Sequence, residues 1–252
     1  MIPLERQRQI LQFINSNGIA SIHFLAEQLN VSHMTIRRDI QKLEEEGKVL
    51  SVSGGVQSLE RLTIELPHND KSRLFHDEKI AIGIAASHII PPNSTIYLDA
   101  GTTTLEIARQ ILEREDLLIV TNDFVIANLL SNSGKSELIH IGGSVCKENF
   151  STKGSLAAEF LKNISIDIAF ISTSSWNLKG LTTPNEDKIP VKKAIIESSK
   201  KNILVTDSSK YGKFATFFVY PLTVFDHILC DKGLLENTQE AIRGLNIPLS
   251  LV

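Results

Sequence analysis

Apolar positions in the N-terminal part of the chain recur at helical spacing. Within Leu4 to Asn15, Ile10, Leu11 and Ile14 lie on one side, and Asn17-Gly18 breaks the run. Ser21 suits an N-cap for a second helix that runs to Leu29 and buries Ile22, Leu25, Ala26 and Leu29. Asn30 and Val31 then make a tight turn, and Ser32 caps a third helix predicted over His33 to Glu46. At about 100° per residue Ile36, Ile40 and Leu43 fall within about 60° of one another and mark the core face. Met34, Arg37, Arg38 and Gln41 occupy the opposite arc. Gly47 ends the helix, and Lys48 to Val56 reads as a strand, a Gly54-Gly55 turn and a return strand. Three helices and such a hairpin predict a winged helix-turn-helix.

After residue 75 short β-rich apolar runs alternate with helical stretches. The expected strands are Thr95 to Asp99, Leu117 to Thr121, Leu138 to Ile141, Asp167 to Ser172, Asn202 to Asp207 and Val224 to Cys230. Helices are expected over Leu105 to Arg114, Phe124 to Ser131, Leu156 to Lys162 and Val191 to Ser199. This alternation predicts an α/β domain with a mainly parallel sheet. Between the two textures, Leu59 to Leu74 holds Pro67, several charges and no sustained period, as a connector does. The expected organisation is a winged helix-turn-helix over 1–58, a linker over 59–74 and a larger α/β domain over 75–252.

Hydrophobic residues make up 42% of the 252 and charged residues 22%, a globular balance that excludes disordered and collagenous classes. The longest nearly apolar stretch, Ile80 to Ile90, is far short of the roughly 20 residues that span a bilayer, so no membrane contact is expected. Met1 to Gln12 is polar, without the apolar core of a secretory signal, and a cytoplasmic location is expected. Cys146 and Cys230 are too few for a disulfide framework and are expected as free thiols in or near the core. The net charge is −3, so a polyanion must be met locally. Residues 1–58 carry six basic and six acidic side chains, so non-specific attraction to DNA is expected to be weak and binding to lean on the two half-sites of a dimer.

A recognition helix needs short donors and acceptors at its start and guanidinium groups that reach guanine or phosphate. Ser32, His33, Thr35, Arg37, Arg38 and Lys42 supply both. The same helices also suit a protein-docking module, with Arg37-Arg38 as a solvated face. In the second domain the residues that follow each apolar run form a polar set, where ligands of such sheets bind. They include Asp99-Ala100-Gly101-Thr102-Thr103-Thr104, Thr121-Asn122-Asp123, Gly142-Gly143-Ser144, Ser172 to Trp176 and Asp207 to Lys210. Glycine lets backbone approach a ligand, threonines at a helix start offer hydroxyls and free amides, and Lys210 adds a point charge. A small anionic, hydroxyl-rich ligand is expected on Asp99, Gly101, Thr102, Thr103, Thr104, Thr121, Asn122, Gly142, Gly143 and Lys210. Taken singly, each such loop is also explained by Ser and Thr capping helices.

No GxGxxG follows a strand, no GxxxxGK[ST] occurs, and the scattered histidines include only a His227/Cys230 pair, so neither a cofactor nor a metal is expected. Trp176 is expected to pack or to cover a pocket.

The chain resembles the DeoR family of bacterial transcription regulators. The resemblance rests on Leu25-Ala26-Glu27, Asn30-Val31-Ser32, Thr35-Ile36-Arg37-Arg38-Asp39-Ile40, Gly47 and Gly54-Gly55. It continues through Leu98-Asp99-Ala100-Gly101-Thr102-Thr103-Thr104, Thr121-Asn122, Gly142-Gly143, Asp167 with Phe170, and Asp207-Ser208-Ser209-Lys210. It implies a homo-oligomeric repressor of a sugar or sugar-acid catabolic operon. The implied control is a phosphorylated sugar or sugar acid, bound in a domain related to ribose-5-phosphate isomerase. Ser51 and Ser53 stand where the family's wing commonly carries Arg and His, which moves the expected DNA contacts to the third helix. The loop after the fourth strand, glycine-rich in the family, is Ser172 to Trp176 here. A competing reading is a sugar-phosphate isomerase with a helical appendage, using Asp99, Asp207 and Lys210.

Overall fold

A computed structural model describes residues 1–252. The helical period of the N-terminal part builds α1 (Pro3–Asn17), α2 (Ile22–Leu29) and α3 (His33–Glu45). Ser21 accepts from the Phe24 amide at 3.1 Å and Ser32 from the Thr35 amide at 3.2 Å, so both expected caps form. Ile10, Ile14, Leu25, Ile36, Ile40, Leu43, Val49 and Val56 close one core. The wing is the hairpin β2 (Val49–Val52) and β3 (Gly55–Ser58), joined by β1 (Ile19–Ser21) in the order β1-β3-β2. The strand β1 is too short to leave a pattern in the sequence. Gly47 turns the chain at φ +66°, and a Cβ there would lie 2.9 Å from Lys179 Cβ, where the first domain touches the second.

The connector is folded, unlike the aperiodic linker expected. It forms β4 (Glu60–Arg61) and α4 (His68–Arg73). The buried Lys79 of α5 (His76–His88) donates from Nζ to the Lys71 and Leu74 carbonyls, both at 2.5 Å, and ties the connector to the second domain.

The second domain alternates β5 (Thr95–Leu98), α6 (Thr102–Gln110), β6 (Leu118–Thr121), α7 (Phe124–Ser133) and β7 (Glu137–His140). There follow the hairpin β8 (Ser144–Cys146) and β9 (Ser151–Lys153), then α8 (Ser155–Leu161) and β10 (Ile168–Ile171). Next come β11 (Ser175–Asn177), β12 (Gly180–Thr183), α9 (Lys188–Ser198) and β13 (Asn202–Val205). The chain ends with β14 (Lys213–Phe214), β15 (Phe217–Tyr220), β16 (His227–Cys230), α10 (Glu236–Gly244) and β17 (Leu249–Leu251). Seven strands form an all-parallel sheet in the order β17-β16-β13-β10-β5-β6-β7. The fold is thus a winged helix-turn-helix joined to a larger α/β domain. The short strand β14 pairs with β4, and β11-β12-β15 make a small antiparallel sheet.

Alternation along the strands fills two cores. Tyr97, Ala169, Ile171 and Leu204 face α8, α9 and α10, while Ile96, Leu98, Phe170 and Ile203 face α5, α6 and α7. Trp176 is buried in the first of these and meets the Tyr211 ring edge-on at 4.9 Å, so it packs. The cluster of the first domain shares no residue with either. After β5 the chain moves to β6 on one side and later returns to β10 on the other, which places a topological switch point outside the carboxyl ends of β5 and β10.

Candidate functional site

Helix α3 buries Ile36, Asp39, Ile40, Leu43 and Glu44 and leaves His33, Met34, Arg37, Arg38, Gln41 and Lys42 exposed. Thr35 is half-buried, its hydroxyl 3.0 Å from that of Ser32 at the amino end of the helix. Two acidic residues of this helix do not reach solvent. Asp39 accepts from Arg6 Nε at 2.5 Å and from Gln7 Nε2 at 2.9 Å, which pins α3 to α1. Glu44 accepts from the Ser51 amide and hydroxyl and from the Tyr211 hydroxyl. Burial raises the Glu44 pKa more than these hydrogen bonds lower it. With Arg6, Asp39 and Glu44 withdrawn, the first domain exposes five cations against four carboxylates. Ser51 is therefore spent on α3, and the wing tip presents Ser53 and Gly54. Arg37 and Gln41 also border an interdomain cleft of about 660 Å³ whose far wall carries Glu236 and Glu240.

The switch point holds a pocket with about 40 Å³ of free space and nineteen lining residues, two of them hydrophobic. Its floor is the β5–α6 turn. Helix α6 starts at Thr102, three residues before the expected start, because Gly101 accepts from the Leu105 amide; a run of β-branched threonines masks that start in the sequence. The amides of Thr102, Thr103 and Thr104 have no carbonyl four residues back in the helix and form its positive end. A Cβ on Gly101 would stand 2.9 Å from Ser172 Oγ, so glycine here lets the β5 and β10 turns close together.

Asp99 is buried and accepts from the Ser172 amide at 3.0 Å, the Ser172 hydroxyl at 3.1 Å and Lys192 Nζ at 2.6 Å. Lys210 reaches Asp207 at 2.9 Å and Thr103 Oγ1 at 3.5 Å. Burial would raise the Asp207 carboxyl, but Lys210, Ser209 and Lys79 outweigh it and hold the pKa low. The connector completes the wall. One carboxylate oxygen of Glu65 takes Lys71 Nζ and the other Lys188 Nζ, each at 2.5 Å. Burial opposes ionisation of Glu65, yet Lys188 and Lys71 bring its pKa down to about 2.

Of the expected ligand residues, Asp99, Gly101, Thr102, Thr103, Asn122 and Lys210 come together around this pocket. The polar atoms of Asn122 are already engaged with the Tyr97 hydroxyl, the Ala100 amide and the Thr152 carbonyl, so its role there is to hold the turn. Four other residues lie elsewhere. Thr104 turns its hydroxyl back onto the Asp99 and Gly101 carbonyls. Thr121 donates to the Leu98 carbonyl and accepts from the Asp123 amide. Gly142 and Gly143 are exposed at the start of the β8–β9 hairpin, outside the pocket.

Profile comparison matches residues 6–61 to the DeoR-like helix-turn-helix domain and residues 74–232 to the DeoR C terminal sensor domain. The chain belongs to the DeoR family. It is 62% identical over 252 residues to a protein of Haemophilus influenzae described as an uncharacterized HTH-type transcriptional regulator, spanning 100% of this chain and 98% of that one. It is 50% identical to the HTH-type transcriptional regulator YgbI of Escherichia coli, over 96% of this chain and 95% of the relative. Among solved structures it is similar to ribose 5-phosphate isomerase A of Methanocaldococcus jannaschii, at 15% identity and a TM-score of 0.41 over 54% of this chain and 55% of that one. This DeoR-family chain is a DNA-binding transcriptional regulator, and none of its helices is long and apolar enough to cross a membrane.

Glu65, Lys71, Lys188 and Lys192 also line the pocket of this DeoR-family sensor, beyond the residues expected there. Lys188 and Lys192 share a face of α9 at i, i+4, a signal available in the sequence. Glu65 and Lys71 sit in the aperiodic connector and carried none.

Proposed function

We propose that this regulator represses a carbohydrate or sugar-acid catabolic operon and is released by a phosphorylated sugar metabolite bound at the switch-point pocket. The observation that carries this reading is the pocket itself: a helix amino end at Thr102 and Thr103, Lys210 beside it, and a lining of hydroxyl, carboxylate and ammonium groups. Helix-start amides and Lys210 suit a phosphate, and Asp99 with Ser172 and Thr173 suits sugar hydroxyls. Operator DNA is proposed to meet Ser32, His33, Thr35, Arg37, Arg38 and Lys42 on α3. The near balance of exposed charge on the first domain favours a homo-oligomer that combines two half-sites, acting in the cytoplasm.

A regulator is favoured over an isomerase by the state of the carboxylates. Asp207 carries Lys210 and Ser209 and does not line the pocket, so of the two only Asp99 reaches a bound sugar, with Oδ2 taken by Lys192 and Ser172 and Oδ1 left to accept from a hydroxyl. The test is a titration of sugar phosphates into the complex of full-length protein with its upstream promoter DNA. A specific sugar phosphate is expected to change operator affinity about 5- to 150-fold. Turnover of an aldose or ketose phosphate by the purified protein, or no response to any of them, overturns the reading.

A further inference from the structure

We propose that Lys71 and Lys188 form a second anion subsite of the pocket, filled in the free protein by the chain's own Glu65, and that the effector carries a second anionic group, opposite its phosphate, which displaces Glu65. This rests on the sensor reading above and adds the chemical class of the ligand.

The first support is how the charges are shared. Lys192 is engaged by Asp99 and the Ser172 carbonyl, and Lys210 by Asp207. Glu65 alone serves two ammonium groups, one per carboxylate oxygen, with the Asn149 side-chain oxygen as an additional acceptor for Lys71 at 2.8 Å. The Glu65 side chain is 13% exposed and both lysines are 17% exposed. Withdrawing Glu65 leaves two largely desolvated cations facing each other, at a cost that a neutral hydroxyl does not offset. A carboxylate or a phosphate does, because it reproduces the same two contacts.

The second support is space. About 40 Å³ is free in the pocket, whereas ligand pockets run roughly 300–1,000 Å³. A wall must move before a sugar phosphate fits. Most of the lining is anchored to the parallel sheet or to helices packed on it, but Glu65 lies between β4 and α4 on the segment that joins the two domains. It is also flanked by exposed Ile64 and Leu66, and the backbone of residues 63–66 makes no backbone hydrogen bond. The carboxylate that occupies the subsite thus sits on a stretch held by its side chain and not by backbone bonds, next to the strand β4 that leads from reader to sensor.

The test is calorimetric titration of the full chain with matched pairs of probes. Erythrose 4-phosphate, ribose 5-phosphate and glucose 6-phosphate are set against the corresponding aldonic acid phosphates, and ribose 1,5-bisphosphate and glucose 1,6-bisphosphate are added. In the pair of the correct length the doubly anionic probe is expected to bind at least about 10-fold tighter than the monophosphate. Whether the acid phosphate or the bisphosphate binds tighter tells a carboxylate from a second phosphate. Lys188→Met is expected to reduce the preference below about twofold while the monophosphate affinity stays within about threefold. Glu65→Gln, a near-isosteric control for folding, is expected to tighten the doubly anionic probes about 10-fold more than the monophosphates. Monophosphates that bind as tightly as their doubly anionic partners, or a Lys188→Met loss equal for all probes, overturn the second subsite and leave the sensor reading standing. Binding of no probe at all overturns both.

Discussion

Tyr211 donates its hydroxyl to Glu44 Oε1 at 3.3 Å, joining the turn after the pocket's Lys210 to the core end of the recognition helix. Glu44 in turn holds Ser51 of the wing. One step of chain therefore separates a pocket-lining ammonium from a side chain that touches α3. Tyr211→Phe removes that hydrogen bond and keeps the ring against Trp176. It is expected to leave the affinity for effector within about twofold and to cost about 1 kcal/mol of stability, while shrinking the change in operator affinity that effector produces. Paired titrations with effector and with operator DNA check it.

On the exposed arc of α3, Arg37→Ala is expected to weaken operator binding by about 1–3 kcal/mol. A loss confined to the cognate sequence marks a base contact, and an equal loss on all sequences marks a phosphate contact. Fluorescence anisotropy on cognate and scrambled duplexes separates the two.

On the buried side of the same helix, Asp39→Asn acts on the fold instead. It strands Arg6, whose side chain is 10% exposed, without its anion. A stability loss of about 3–5 kcal/mol is expected by chemical denaturation, with a lower DNA-binding fraction that follows the unfolded population.

In the sensor, Lys210→Ala and Thr103→Val are each expected to abolish the response to effector and to leave operator affinity unchanged, as read by promoter binding with and without sugar phosphate. Gly83→Ala probes the α5–α6 contact. Alanine favours a helix by up to about 1 kcal/mol, but its Cβ would stand 2.7 Å from the Glu106 carbonyl carbon. Backbone cannot give way cheaply, so a net loss of about 1–2 kcal/mol is expected in a denaturant titration.

Glu65 sets a pH dependence. Its pKa falls from 4.5 to about 2 on folding, so the folded state holds fewer protons there and the stabilisation is full above pH 4.5. It is lost as the pH falls toward 2. The difference in Tm between wild type and Glu65→Gln is expected to be constant from pH 7 to about 5 and to shrink below that. A difference that grows in acid contradicts the assignment.

What could be read in advance follows from how each feature is encoded. The caps Ser21 and Ser32, the core face of α3 and the wing depend on neighbours within a few positions, and periodicity reports those. The floor of the pocket was legible for the same reason, since ligand-facing residues of a parallel sheet follow its strands. Thr104 and Thr121 fit that rule by position, but each buried hydroxyl bonds a nearby carbonyl, Asp99 in its own turn for Thr104 and Leu98 on the neighbouring strand for Thr121. Glu65 with Lys188 and Asp99 with Lys192 are 123 and 93 residues apart in sequence, so no local pattern marks them.

The separateness of the first domain's core has a mechanical consequence. Where the two halves meet, the contacts are the Tyr211–Glu44 bond, Gly47 against Lys179, Leu50 over Gly212 and the short β4–β14 ladder. A rotation of one half against the other would break these contacts and leave all three hydrophobic cores whole, since none of the cores crosses the joint. An effector of the proposed class would then work on the joint alone, leaving the interior of each half as it is.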